Sequence, residues 1–332
     1  MARVRARHAA LAAAAVGGGG LAARSARLLW RRRDLNWSAP ERFSQDAFLR
    51  VEKMGTGHAP VLLLHSLEGS SGYFGSAFDE LADPGPLLVP DLLGFGASPK
   101  SESGYSADQH AAALLLMLEQ LGVEDPLFVV GHGVGGVIGL RLAILRPERV
   151  EALVLISPPV YSDPDAARRW LGRRASGKRL DRVLAGRLSG RLPGRSAAVR
   201  TTSRMLAAPL RPDLPGPVAK DRLAALGADA YLQSLEDCLI NAPTADWLRQ
   251  VGCPVDLVVP SQDRTIDVAL LREIGDSNNR ISLTQLPFGD GRLPLTNPDG
   301  CLAAIDRFRE RMAGSESATP GTASAGSPSP LP

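Results

Sequence analysis

The sequence predicts an α/β protein: a doubly wound, mainly parallel sheet interrupted by an inserted helical lid. Continuous apolar runs such as VLLLH at 61–65, LFVV at 127–130 and VDLVV at 255–259 are bounded by Gly and Pro, as strands buried on both faces require. Helical stretches alternate with these runs, which is the pattern of strands joined by crossover helices. Between Pro158 and Ala245 the alternation stops, leaving helical patterns and no convincing strand.

Taken in order, the expected strands are 48–53, 61–65, 87–90, 127–130, 152–157, 255–259 and 281–286. The expected helices are 75–81, 107–121, 134–145 and 299–312. The chain then divides into a basic leader (1–33), a first part of the sheet domain (43–157), the lid (158–245) and a second part (246–312). Residues 313–332 are small, polar and Pro-rich and predict a disordered tail.

With 332 residues and 44% hydrophobic content, the chain is long enough for one large domain, which excludes a disulfide-stapled miniprotein and a wholly disordered chain. Cys238, Cys253 and Cys301 are odd in number and have no close pairing. They predict neither a disulfide framework nor a CxxC metal site. No cofactor is expected.

The formal charge of +3 hides a cancellation. The leader carries eight Arg and no acid, residues 168–211 carry twelve Arg and one Lys against Asp181, and the rest of the chain is left with −17. Basic islands on an acidic body suit an anionic membrane surface better than nucleic acid gripped by the whole molecule. The lid has Trp170 but no set of aromatics for stacking bases. Solvated helix faces enriched in Arg by coding bias are the plainer alternative.

The leader's apolar stretch, Ala9–Ala23, falls short of the roughly 20 residues a transmembrane helix needs. It fits a secretory signal in length, yet no clear A-x-A cleavage site precedes Asp34. Export or membrane anchoring, a transit peptide and a plain basic tail in a cytoplasmic protein all stay open.

In an open parallel sheet, chemistry collects at the carboxyl ends of the strands. There the chain carries His65-Ser66-Leu67-Glu68-Gly69-Ser70, then Asp91-Leu92-Leu93-Gly94-Phe95-Gly96-Ala97-Ser98, then Gly131-His132-Gly133-Val134-Gly135-Gly136. Asp263 and Gly291-Arg292-Leu293-Pro294 follow late in the sequence. In this order and spacing the segments resemble the α/β-hydrolase family over roughly residues 43–312.

That resemblance implies a Ser nucleophile on a strained turn, activated by a His that a carboxylate orients. It places Gly133 at the nucleophile position, Arg292 at the position of the His and Asp263 at that of the acid. Gly133 has no nucleophilic atom. Arg292 is not deprotonated in proteins and so cannot serve as a base. Ser66 stands where the family commonly has Gly. The resemblance also points to His65, Ser66, Leu67, His132 and Val134 around the pocket and oxyanion site, with Glu68 disfavouring a developing oxyanion.

The leading expectation is therefore a decayed Ser-His-Asp site in a non-hydrolytic protein. It would bind a small apolar or acyl-type molecule, or serve as a scaffold, near a membrane. Arg292 is expected to pair with Asp263. The alternatives are a hydrolase using Ser66 or Ser70 with His132, a nucleophile-free lyase-type enzyme, or a binder of anionic membranes through the lid. The bland expectation for His65 and His132 is bonding to loop backbone; for Asp91, capping a Gly-rich turn; for Ser157, forming a turn; and for His110, an ordinary helix position.

Overall fold

The computed structural model describes residues 37–175, 214–225, 228–261 and 266–317. The leader, most of the basic lid, Asp263 and residues 318–332 lie outside them. Among the described residues, eight strands form one sheet in the order β1-β2-β4-β3-β5-β6-β7-β8. They are β1 (Phe43–Asp46), β2 (Arg50–Met54), β3 (Val61–Leu64), β4 (Leu87–Pro90), β5 (Leu127–His132), β6 (Val150–Ile156), β7 (Val255–Pro260) and β8 (Ile281–Leu286). β1 and β2 pair antiparallel with each other, as do β2 and β4; every other pairing is parallel.

The continuous apolar runs are explained by burial on two faces. In β3, Leu62 and Leu64 join one core with Leu88, Val129, Leu153, Leu155 and Leu257. Val61 and Leu63 point the other way and pack with Leu87, Val89, Phe128, Val130 and Val154. The side-chain period of two thus sends alternate residues into separate cores. β1 is the exception. Its sequence, FSQD, is exposed at all four positions, so it is held by its ladder to β2 and gives no apolar signal.

The helices are α1 (Ala107–Gln120), α2 (Val134–Leu145), α3 (Pro164–Ala175), α4 (Gly216–Ala225), α5 (Asp229–Ser234), α6 (Thr244–Gln250), α7 (Val268–Ser277), α8 (Leu293–Thr296) and α9 (Pro298–Ser317). α1 starts at a capping box in which Ser106 and Gln109 satisfy each other's backbone N–H groups. A π-helical turn, Leu235–Ile240, continues α5. The stretch expected at 75–81 is a 3₁₀ helix, Ser76–Ala82. α9 runs to Ser317, past the expected helix end at 312 and into the start of the stretch read as tail. Among the described residues, no helix is long and apolar enough to cross a membrane.

Candidate functional site

β5 is central in the sheet and ends at His132, and α2 begins at Val134, so Gly133 is the turn between them. Its backbone sits at φ 55°, ψ −123°, a conformation that favours glycine. The Gly133 N–H donates to Ile156 O at 2.9 Å, tying the turn to the end of β6. A Cβ on Gly133 would overlap Ser66 Oγ and come within 3.0 Å of Ser66 Cβ. Ser66, on the loop after β3, thus fills the space in which a nucleophile's side chain would start.

Both histidines of the site bond to main chain. His65 is fully buried; its Nδ1–H donates to Ser66 O at 2.8 Å, and its Nε2 accepts from the Leu92 N–H at 2.9 Å. Burial pushes its pKa below the usual histidine value, so it is a neutral structural group. His132 donates from Nε2 to Gly291 O at 2.9 Å, and its ring stacks on Tyr73 with centroids 5.1 Å apart and planes 11° apart. Asp91 is a cap, as its position suggests. Its carboxylate accepts from the N–H groups of Ser71 (2.7 Å) and Ala97 (2.8 Å).

Leu67 and Val134 are buried. Charged side chains stand beside the turn as well. Arg222 on α4 pairs with Glu68 at 2.6 Å, and Ser70 Oγ donates to Asp221, the preceding residue, at 2.5 Å. Glu68 is therefore partnered by a guanidinium, which offsets the repulsion expected toward negative charge. α4 is also anchored by Val218, buried in the same core as Tyr73, Phe74 and Leu293.

Arg292 is held by Asp290. The Arg292 backbone N–H donates to Asp290 Oδ1 at 2.9 Å, and the guanidinium meets Oδ2 at 2.8 Å. The expected partner, Asp263, and any contact it makes lie outside the described residues. Of the alternative pairing of Ser66 or Ser70 with His132, Ser70 Oγ donates to Asp221 and His132 Nε2 donates to Gly291 O. Among the described residues, no three His, Cys, Asp or Glu side chains gather to hold a metal ion.

Four participants had no motif to mark them: Tyr73, Asp221, Arg222 and Asp290. Ser157, expected as a turn former, follows β6 with a positive φ of 49°. Its hydroxyl is buried without a hydrogen-bond partner among the described residues.

Residues 59–291, more than half of the chain, match the family model described as the alpha/beta hydrolase fold. The lipase LipV of Mycobacterium tuberculosis is 36% identical over 121 residues, covering 36% of this chain and 45% of the relative. The chain thus matches less than half of that relative's length. Among solved structures, E-2-(acetamidomethylene)succinate hydrolase aligns with a TM-score of 0.61 at 20% identity, covering 81% of this chain and all of that one. A membrane phospholipase A aligns with a TM-score of 0.61 at 19% identity, covering 94% and 99%. At such identities these structures speak to fold alone. With the central turn after β5, the strand order and the family-model match in agreement, the chain belongs to the α/β-hydrolase fold family.

Proposed function

We propose that this protein has lost serine-hydrolase chemistry and acts as a non-hydrolytic small-molecule-binding or scaffold protein near a membrane. The observation that carries this reading is the pairing of Gly133 with Ser66. The turn has no nucleophile, and the neighbouring side chain occupies the vacated space. Arg292, at the position of the base, is engaged by Asp290 and, being already protonated, cannot accept a proton. The test is exposure of the full chain to a serine-directed phosphonate probe and to short p-nitrophenyl esters. The expected outcome is no labelling and no turnover above buffer; stoichiometric labelling overturns the reading.

A hydrolytic reading is favoured by the name of a relative, a lipase, and by the Ser66 hydroxyl beside the turn. Against it, the two ring nitrogens of His65 are both engaged by main chain, so His65 is not placed to act as a base for Ser66. Labelling that maps to Ser66 is the result that would establish it.

A further inference from the structure

Residues 37–42 form a strap across the two 3₁₀ turns that follow β3, Ser71–Phe74 and Ser76–Ala82, and they are fastened there along their length. The Ser76 N–H donates to Ser38 O at 2.9 Å, and the Glu41 N–H donates to Asp79 Oδ2 at 2.9 Å. The Arg42 side chain is fully buried, and its guanidinium donates to Asp79 Oδ1 at 2.6 Å, to Ser71 O at 3.1 Å and to Gly75 O at 2.8 Å. Gly75 is shaped to the strap: its φ is 69°, and a Cβ there would lie 2.7 Å from the Trp37 ring. A buried guanidinium that spans three separate acceptors is costly to leave unpaired, so the strap and the turns hold each other.

The same loop is the seat of α4. Ser70 O accepts the Tyr73 N–H at 3.0 Å, which ties Ser70 to the first turn. Ser70 Oγ in turn donates to Asp221 at 2.5 Å, and Glu68 pairs with Arg222 at 2.6 Å. Val218 is buried in the core that also holds Tyr73 and Phe74, and Trp37 packs against that core. An unbroken run of contacts therefore leads from the strap through Ser71–Gly75 to Ser70 and Glu68, and from these to α4. One other anchor acts on the first turn: the Asp91 carboxylate accepts the Ser71 N–H at 2.7 Å. That is one bond, against three from the strap to Ser71 O, Gly75 O and the Ser76 N–H, so the strap carries the larger share of the loop's position.

We propose that the strap is a conformational control on α4: fastened, it holds the loop after β3 in the shape that seats α4, and unfastened, strap, loop and α4 open as one unit. Cooperative opening of a contiguous set of contacts, below the free energy of global unfolding, is how such a unit behaves. Residues 1–36 join the body through the peptide bond to Trp37, so whatever captures that segment acts on the strap first. The inference goes beyond the non-hydrolytic reading and is independent of it, since the same coupling acts on a binding site or a catalytic one.

The test is hydrogen exchange read by mass spectrometry on the full chain, comparing wild type, Arg42→Gln, Trp37→Ala and Arg222→Gln. Ile274→Ala on α7, in the opposite core, controls for general loosening. Arg42→Gln and Trp37→Ala are expected to speed exchange at least tenfold in residues 37–42, 66–75 and 216–225, with α1 within twofold of wild type. Because coupling between two sites is reciprocal, Arg222→Gln is expected to speed exchange in 37–42 by the same factor as in α4.

A clamp with only a local role loosens 37–42 and 71–79 and leaves 216–225 within twofold of wild type, which overturns the proposal. It is equally overturned if Ile274→Ala loosens α4 as much as the strap variants do, or if Arg222→Gln leaves the strap unmoved. Should neither strap variant fold, Arg222→Gln read at residues 37–42 decides alone.

Discussion

Gly133→Ser is the substitution that restores the family's nucleophile, and the structure predicts that it is destabilising by itself. The backbone at φ 55°, ψ −123° costs a residue with a Cβ about 1–3 kcal/mol. The new Cβ also overlaps Ser66 Oγ and lies 3.0 Å from Ser66 Cβ, an overpacking worth about 1–3 kcal/mol. Gly133→Ser should therefore lose about 2–6 kcal/mol, of which Ser66→Gly returns the overpacking share and leaves the backbone share. A double-mutant cycle by urea denaturation, following tryptophan fluorescence, should show a favourable coupling of about 1–3 kcal/mol between the two positions. Coupling below about 0.5 kcal/mol refutes the claim that Ser66 fills the nucleophile's space. The same cycle has a chemical arm. Adding Arg292→His to the Ser66→Gly/Gly133→Ser pair should yield measurable esterase activity, and the triple variant should exceed one that keeps Ser66.

His110 makes the fold acid-sensitive in a definite window. Buried on α1 with Nε2 2.9 Å from Ser234 Oγ, it has its pKa pushed down to about 3 by burial. As pH falls below about 6.5 the unfolded chain takes up a proton that the folded chain refuses until about 3, so stability drops across that interval. The loss over the whole interval is at most about 5 kcal/mol, and His110→Gln should flatten urea midpoints measured between pH 7 and 4.5. For the basic stretch at 168–211, the expected result is cosedimentation of the full chain with anionic phosphatidylserine vesicles, lost at high salt and on replacing its arginines with glutamine. Salt-insensitive or absent binding removes the membrane role.

The sheet was legible in the sequence because burial on both faces demands unbroken apolar runs, and five of the eight strands, β3 to β7, have one or a close approach to it. β1 had no such signal, since FSQD is exposed throughout and paired only through its backbone. Gly133 and Arg292 were legible because turn and loop motifs keep a fixed order along the chain. The charged surroundings were not. Ser70 and Asp221 are 151 residues apart in sequence, and only the docking of α4 onto the loop after β3 brings them together. The strain at Ser157 was equally hidden, because Ser is an ordinary residue at a strand end and nothing in its neighbours demands a positive φ.

On the non-hydrolytic reading proposed above, the groups around the turn share a common physical direction. A Ser at position 133 would hold a strained backbone and would need an empty space opposite it to present its hydroxyl. Gly133 removes the strain, and Ser66 fills the space, so each makes the other less costly to keep and more costly to reverse singly. Arg292, clamped by Asp290 through both backbone and guanidinium, likewise converts a position for a mobile proton carrier into a fixed ion pair.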